Sequence, residues 1–362
     1  LERQQIAHAI AVGPDGDIYV AGKIWPGESS YDGLLLKYSA DGSLLFAKTW
    51  GSDSTDIVEA VAVDDTGNIY LAGATPDSYV TTYDLLLLKY DPAGNLIFAQ
   101  SRLGEATNDE AYAIAVDESA SCIYVAGSTK NIATGNVDAL LMKFDFNGNF
   151  LFARCWRASE EDFIDSLAVD TLGNVYAAGS TKSFGPGTPS YHNWLLLKFD
   201  PDGNLIFSTT WGDVYYDFST GVGVDRRGNV YVSGFLGQVM KKIPVVLKYS
   251  PDGEVLCSKM WFYEYSEHEA SPSLEALVLD SAGNLYMAGE AKGNKGEWGN
   301  VFATTTSPEG EVVSLPGNMS PVTGSESWLE GGHSTINGNI DEDLPELAPL
   351  DLLLIKNFKQ KW

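Results

Sequence analysis

Apolar positions along this chain fall into short runs separated by polar turns, without the 3.6-residue rhythm of amphipathic helices. Residues 57–103 show the pattern in full. Val58–Val63, Ile69–Gly73, Leu85–Tyr90 and Leu96–Ala99 are four such runs. The first two are joined by Asp64-Asp65-Thr66-Gly67-Asn68, the last two by Asp91-Pro92-Ala93-Gly94-Asn95. Each joint reads as a hairpin turn. Asp opens it, a polar residue or Pro fits the right-handed middle, and Gly supplies the positive φ of a bulged hairpin. The middle joint, Ala74–Asp84, is longer and polar. The pattern predicts one four-stranded antiparallel unit.

The unit recurs along the chain. AIAVGPDGDIYVAG begins at Ala9, AIAVDESASCIYVAG at Ala113, SLAVDTLGNVYAAG at Ser166, GVGVDRRGNVYVSG at Gly221 and ALVLDSAGNLYMAG at Ala276. The second hairpin recurs from Gly33, Ala139, Trp194 and Val245, with lysines at Lys37, Lys89, Lys143, Lys198 and Lys248, a period of 50–55 residues. A sheet with two apolar faces cannot bury them alone, so neighbouring units must stack. A closed ring of blades leaves only short edges. The expectation is an all-β fold, a closed β-propeller of four-stranded antiparallel blades forming one domain over residues 1–362. Six blades are favoured, with a seventh, diverged one as the alternative.

The stretch Asn108-Asp109-Glu110-Ala111-Tyr112-Ala113-Ile114-Ala115-Val116-Asp117, followed by Ile123-Tyr124-Val125-Ala126-Gly127, resembles the SBBP (seven-bladed β-propeller) repeat. The resemblance covers residues 6–290; Gly13 and Ser121-Cys122 depart from the pattern of the other copies. It implies a bacterial or archaeal β-propeller, surface-exposed or secreted, and names no activity.

After Gly289 the rhythm breaks into Gly, Pro, Ser, Thr and acidic residues until Asp351-Leu352-Leu353-Leu354-Ile355-Lys356 restores a third-strand signature. Residues 291–350 are either an insertion within the last blade or a diverged repeat. In the second reading Thr305 takes the place of the lysines. Asn300–Leu315, turning at Pro308-Glu309-Gly310, is expected to form a hairpin that adds to a sheet edge of the last blade or of another subunit.

Composition narrows the function classes. Lys and Arg number 23 against 49 Asp and Glu, a net charge of −26, which disfavours nucleic acid and anionic lipid. No apolar run is long enough to span a membrane as a helix. The chain begins at Leu1 without a signal peptide, as expected of a processed, exported chain at the cell surface or outside the cell. Cys122, Cys155 and Cys257 read as small core residues. His8, His192, His268 and His333 are scattered, and no catalytic motif appears.

Four recurring features are candidates for chemistry or packing. Second-strand tyrosines (Tyr19, Tyr70, Tyr124, Tyr176, Tyr231, Tyr286) read as packing residues. The third-strand lysines read as ion-pair partners of the turn aspartates Asp64, Asp117, Asp170, Asp225 and Asp280. Asp56, Asp109, Asp162 and Asp217 enter the innermost strands at the channel mouth. They either close loops or form a carboxylate ring able to hold Ca²⁺. Trp25, Tyr31, Tyr79, Tyr83, Tyr191, His192, Tyr215, Tyr216, Tyr263 and Tyr265 crowd the long-loop face, as suits a protein or glycan partner, or a second copy of the chain. A binding or structural module is the favoured reading. A calcium-dependent hydrolase or lyase with its site in the channel is the alternative, by fold analogy alone.

Overall fold

Leu85, Leu86, Leu87 and Leu88 are all buried, although consecutive side chains of a strand point to opposite faces. A run that is apolar at every position marks a strand covered on both faces. Leu85 and Leu87 pack toward the sheet that follows, with Ile123, Val125 and Leu140. Leu86 and Leu88 pack toward the sheet that precedes, with Tyr19, Ala21 and Leu35.

The computed structural model describes residues 4–280, apart from 28–29, 53, 77–81, 103–106, 132–133, 187–188, 239–240 and 261–272. Beyond these it describes 282–291, 300–306, 312–314, 334–335 and 340–341. The described residues form six antiparallel sheets, each with its first four strands hydrogen-bonded in chain order, and no helix. Two compact units divide them. Residues 1–157, with Ile340–Trp362, hold the first three sheets, and Ala158–Asn339 hold the other three. Within each unit the first strand of a sheet packs on the sheet before it, as Ile57–Val63 does on Gln5–Val12 and Asp217–Val224 on Asp162–Val169.

The turn chemistry is as the sequence predicts. Gly67 sits at φ 83° and Gly94 at φ 79°, and their N–H groups close the turns onto the Asp64 and Asp91 carbonyls. Asp64 Oδ1 accepts from the N–H groups of Thr66 and Asn68, at 3.0 and 2.8 Å. Burial raises its pKa, but these bonds and those from the Asn68 and Tyr70 side chains outweigh burial and leave it lowered.

The expected ion pairs are corrected. Tyr and Lys are direct cross-strand partners, Tyr70 opposite Lys89 and Tyr176 opposite Lys198. The ammonium therefore lies over the ring, 4.9 Å from the Tyr70 centroid and 5.1 Å from that of Tyr176. Lys89 then donates to the Phe146 carbonyl at 2.8 Å, and Lys198 to the Pro251 carbonyl at 2.9 Å, in a turn of the next sheet. The aspartate instead takes the tyrosine hydroxyl, Tyr70 to Asp64 at 2.9 Å. Lys37 does make an ion pair, 2.9 Å from Asp17, in the repeat where Gly13 replaces the turn aspartate. Lys89→Met keeps the apolar stem but orphans the Phe146 carbonyl. It is expected to lower stability by about 1–2 kcal/mol. Urea melts should show nearly the same loss at low and high salt; a loss abolished by salt would restore the ion-pair reading.

Every first strand carries a bulge at one extra residue: His8, Glu59, Tyr112, Asp165, Thr220 and Glu275. The cause is the Gly of the second-strand Ala-Gly or Ser-Gly. A Cβ on Gly22, Gly73, Gly127, Gly179 or Gly234 would lie 1.8–2.1 Å from a first-strand carbonyl oxygen. Without a side chain there, the two backbones close up and the extra residue is pushed out of register.

The sixth sheet is Ser273–Leu279, Leu285–Ala291, Asn300–Thr306 and Val312–Ser314. The two strands of the expected 300–315 hairpin thus pair, but as the third and fourth strands of this sheet rather than as an addition to its edge; the turn at 308–310 lies outside the described residues. Thr305 pairs with Tyr286 where the lysines pair in other sheets; most of 291–350 lies outside the described residues. The 351–356 signature lies outside the described residues. Ile340–Asp341 adds a fifth strand to the third sheet, and Ser334–Thr335 one to the fourth. Cys122 and Cys155 are buried as expected. Cys257 is exposed, on the fourth strand of the fifth sheet, which corrects its reading as a core residue.

Candidate functional site

The four aspartates at the strand entrances are buried. Asp56 Oδ1 accepts from the Thr75 hydroxyl at 2.6 Å, and its Oδ2 from the Ser52 N–H at 2.6 Å. Asp162 accepts from the Thr181 and Ser183 hydroxyls. Asp217 accepts from the Asp213 N–H at 2.6 Å and the Gly237 N–H at 2.9 Å. Their backbones hold the other candidates. The Asp56 N–H donates to the Tyr31 carbonyl at 2.8 Å, and the Asp217 N–H to the His192 carbonyl at 2.9 Å. Asp56 and Asp217 therefore each tie the loop before them to a neighbouring loop. Burial raises the pKa of Asp56 and pushes that of Asp217 up to about 8. Among the described residues no three His, Cys, Asp or Glu side chains converge as a metal-ligand set.

The structure gathers some of the loop aromatics and separates others. In the first unit Trp25 is partly exposed, and the Tyr31 hydroxyl donates to Gln4 at 3.0 Å with the Lys23 ammonium 5.5 Å from its ring. The Tyr83 N–H donates to Asn108 Oδ1 at 2.8 Å. Tyr79, Tyr263 and Tyr265 lie outside the described residues.

In the second unit Tyr191, His192, Tyr215 and Tyr216 come together. Tyr191 meets the Tyr216 ring edge-on at 4.9 Å and the Tyr215 ring at 6.2 Å. His192 lies 4.7 Å from Phe218 and 5.4 Å from Phe163. Burial pushes the His192 pKa down to about 4, with Lys182 acting in the same direction, so its ring is a neutral spacer at physiological pH. Val214, Tyr215 and Tyr216 remain exposed, Tyr216 by 49%. Phe163, Phe218 and Phe235 carry the aromatic contact inward from these loops. Sequence reasoning missed them, although Asp162-Phe163 and Asp217-Phe218 stand where the second sheet has Asp56-Ile57.

Two family models match short stretches. Residues 157–185 match the SBBP beta-propeller repeat, and residues 13–44 match a beta-propeller domain of unknown function, DUF5122. The regulatory protein FlaEY of Caulobacter vibrioides is 28% identical over 280 residues, which is 66% of this chain and 28% of that protein. The chain thus spans under a third of the length of this relative. A protein of unknown function from Dyadobacter fermentans superposes with a TM-score of 0.54 at 10% identity, covering 83% of this chain and 94% of that one. The α-L-arabinofuranosidase Arb93A of Fusarium graminearum superposes with a TM-score of 0.55 at 11% identity, covering 84% and 94%. At such identities the likeness shows the fold alone. Six sheets built from one recurring four-stranded unit, with stretches that match two beta-propeller family models, support a β-propeller repeat architecture for this chain.

Proposed function

We propose that the chain is a binding module, exported or displayed at the cell surface, that takes a protein partner on the aromatic loops of its second unit. The observation that carries this reading is the exposed trio Val214, Tyr215 and Tyr216, backed by Tyr191, His192 and Phe218. Rings already packed from behind lose little entropy on binding, which favours them as anchors. The edge-on meeting of Tyr191 and Tyr216 makes a ridge suited to side chains rather than the flat platform a sugar ring stacks on. A chain of net charge −26 favours a neutral or basic partner surface. Likeness to a protein named as regulatory agrees with action by binding.

The test presents the labelled chain to peptide and glycan arrays, beside a Tyr215→Ser, Tyr216→Ser double variant. Peptides with basic and apolar residues should bind, and the variant should lose tenfold or more of that signal. Binding to glycans alone would overturn the protein reading. Full retention by the double variant would remove these loops from the site.

A further inference from the structure

The bulged position varies among the six repeats: His8, Glu59, Tyr112, Asp165, Thr220 and Glu275. Three of these, from consecutive sheets of the second unit, line one cleft of about 470 Å³. Asp165, Thr220 and Glu275 lie along it, and Phe163, Phe218 and Phe235 supply aromatic walls.

The chemistry of the lining is one-sided. The Thr220 hydroxyl donates to the Leu274 carbonyl at 2.7 Å, and the Ser219 hydroxyl beside it to the Gly179 carbonyl at 2.7 Å. With their protons committed, both hydroxyls offer the cleft only acceptor capacity. Glu275 accepts one bond, from Ser273. No hydrogen bond or ion pair reaches Asp165 among the described residues, in contrast to Asp56, Asp162 and Asp217. Burial with no partner to offset it pushes the Asp165 carboxyl up to about 7. Among the described residues no Lys or Arg belongs to the lining itself, and the one cation at its edge is the Lys242 ammonium over the Phe235 ring.

Two acids, spare acceptors and phenyl rings call for a cation that brings both N–H donors and apolar surface. A hard divalent ion wants six to eight oxygens, and three of the lining side chains are rings that supply none. An alkylammonium meets every part: its N–H groups answer the carboxylates, and its stem and charge suit the rings. The chain itself shows the last contact, since the Lys242 ammonium lies 4.1 Å from the centroid of Phe235.

We infer that this cleft binds a primary ammonium group carried on an alkyl chain, with Asp165 as its ionic partner, Glu275 as a second acceptor and Phe163 and Phe218 as walls. The group can arrive as a lysine side chain or as a free diamine. This site lies inward of the exposed loop tyrosines and does not depend on their binding a partner.

Calorimetry on the full chain tests it with cadaverine, Nα-acetyl-lysine amide, the neutral Nα-acetyl-norleucine amide and calcium chloride. Binding of either amine, at least tenfold tighter than the norleucine compound, is the expected result. Cadaverine alone would identify the source as a free diamine, and the lysine amide alone as a peptide side chain. Asp165→Asn should weaken the amine tenfold or more. Glu275→Gln, at an exposed position and with an amide oxygen that still accepts from Ser273, should weaken it several-fold. Calcium binding without amine binding, no amine binding at millimolar concentration, or undiminished binding by both variants would overturn the assignment.

Discussion

Gly179→Ala is expected to destabilise the fourth sheet by about 3–5 kcal/mol, a loss at the top of the range for a single added methyl group. The new Cβ would lie 1.8 Å from the Phe163 carbonyl oxygen and 2.8 Å from the Ile164 Cα. Both are backbone atoms, so no side-chain rotation relieves the clash. The first strand must either move away, breaking its ladder with Val175–Thr181, or lose the bulge that displaces Asp165. Gly173→Ala is the control. Gly173 has a φ of 81°, where a Cβ costs about 1–2 kcal/mol through backbone strain alone. Because stacked repeats lean chiefly on their neighbours, the larger loss should centre on the second unit. Urea melts followed by far-UV circular dichroism would measure both. A loss below about 1 kcal/mol for Gly179→Ala would mean that the first strand has no need of close approach at this glycine.

Strands and turns were legible because each repeat states them again. An Asp before a Gly, with apolar runs on either side, gives the hairpin, and a run such as Leu85–Leu88 gives a strand covered on both faces. The role of the lysines was legible in principle and missed in practice. Tyr70 and Lys89 stand at matching distances from the connection between their strands, which makes them cross-strand partners, whereas charge alone suggested an aspartate. The sixth sheet was harder to read because Thr305 replaces the lysine and Ser307-Pro308-Glu309-Gly310-Glu311 keeps the Pro and Gly of the turn without its Asp and Asn. Bulges are harder still, because the alternation Glu59-Ala60-Val61-Ala62-Val63 continues unbroken through the extra residue. Its one sequence signal is negative. The residue type there varies from repeat to repeat, with only Glu appearing twice, and it is there that the cleft draws its acids.

The second large effect is expected at Asp217, where substitution and pH probe the same contacts. Asp217 is fully buried, and its two oxygens satisfy the N–H groups of Asp213 and Gly237. Asp217→Ala leaves both donors buried without an acceptor, for a loss of about 2–4 kcal/mol. It also releases the loop on which Tyr215 and Tyr216 stand, so partner binding should fall with stability. Asp217→Asn keeps one acceptor oxygen and should lose roughly half as much. The pH dependence separates this from simple packing. Burial holds the folded carboxyl near 8, whereas in the unfolded chain it ionises near 4. Between those values the folded state keeps a proton that the unfolded state has released, so this group makes stability fall as pH rises from about 4 to about 8. Wild type should therefore lead Asp217→Asn most clearly near pH 4, and the gap should narrow by about 2 kcal/mol or more by pH 8. Parallel curves for the two proteins across that range would show that the Asp217 carboxyl is ionised throughout, held so by its two backbone donors.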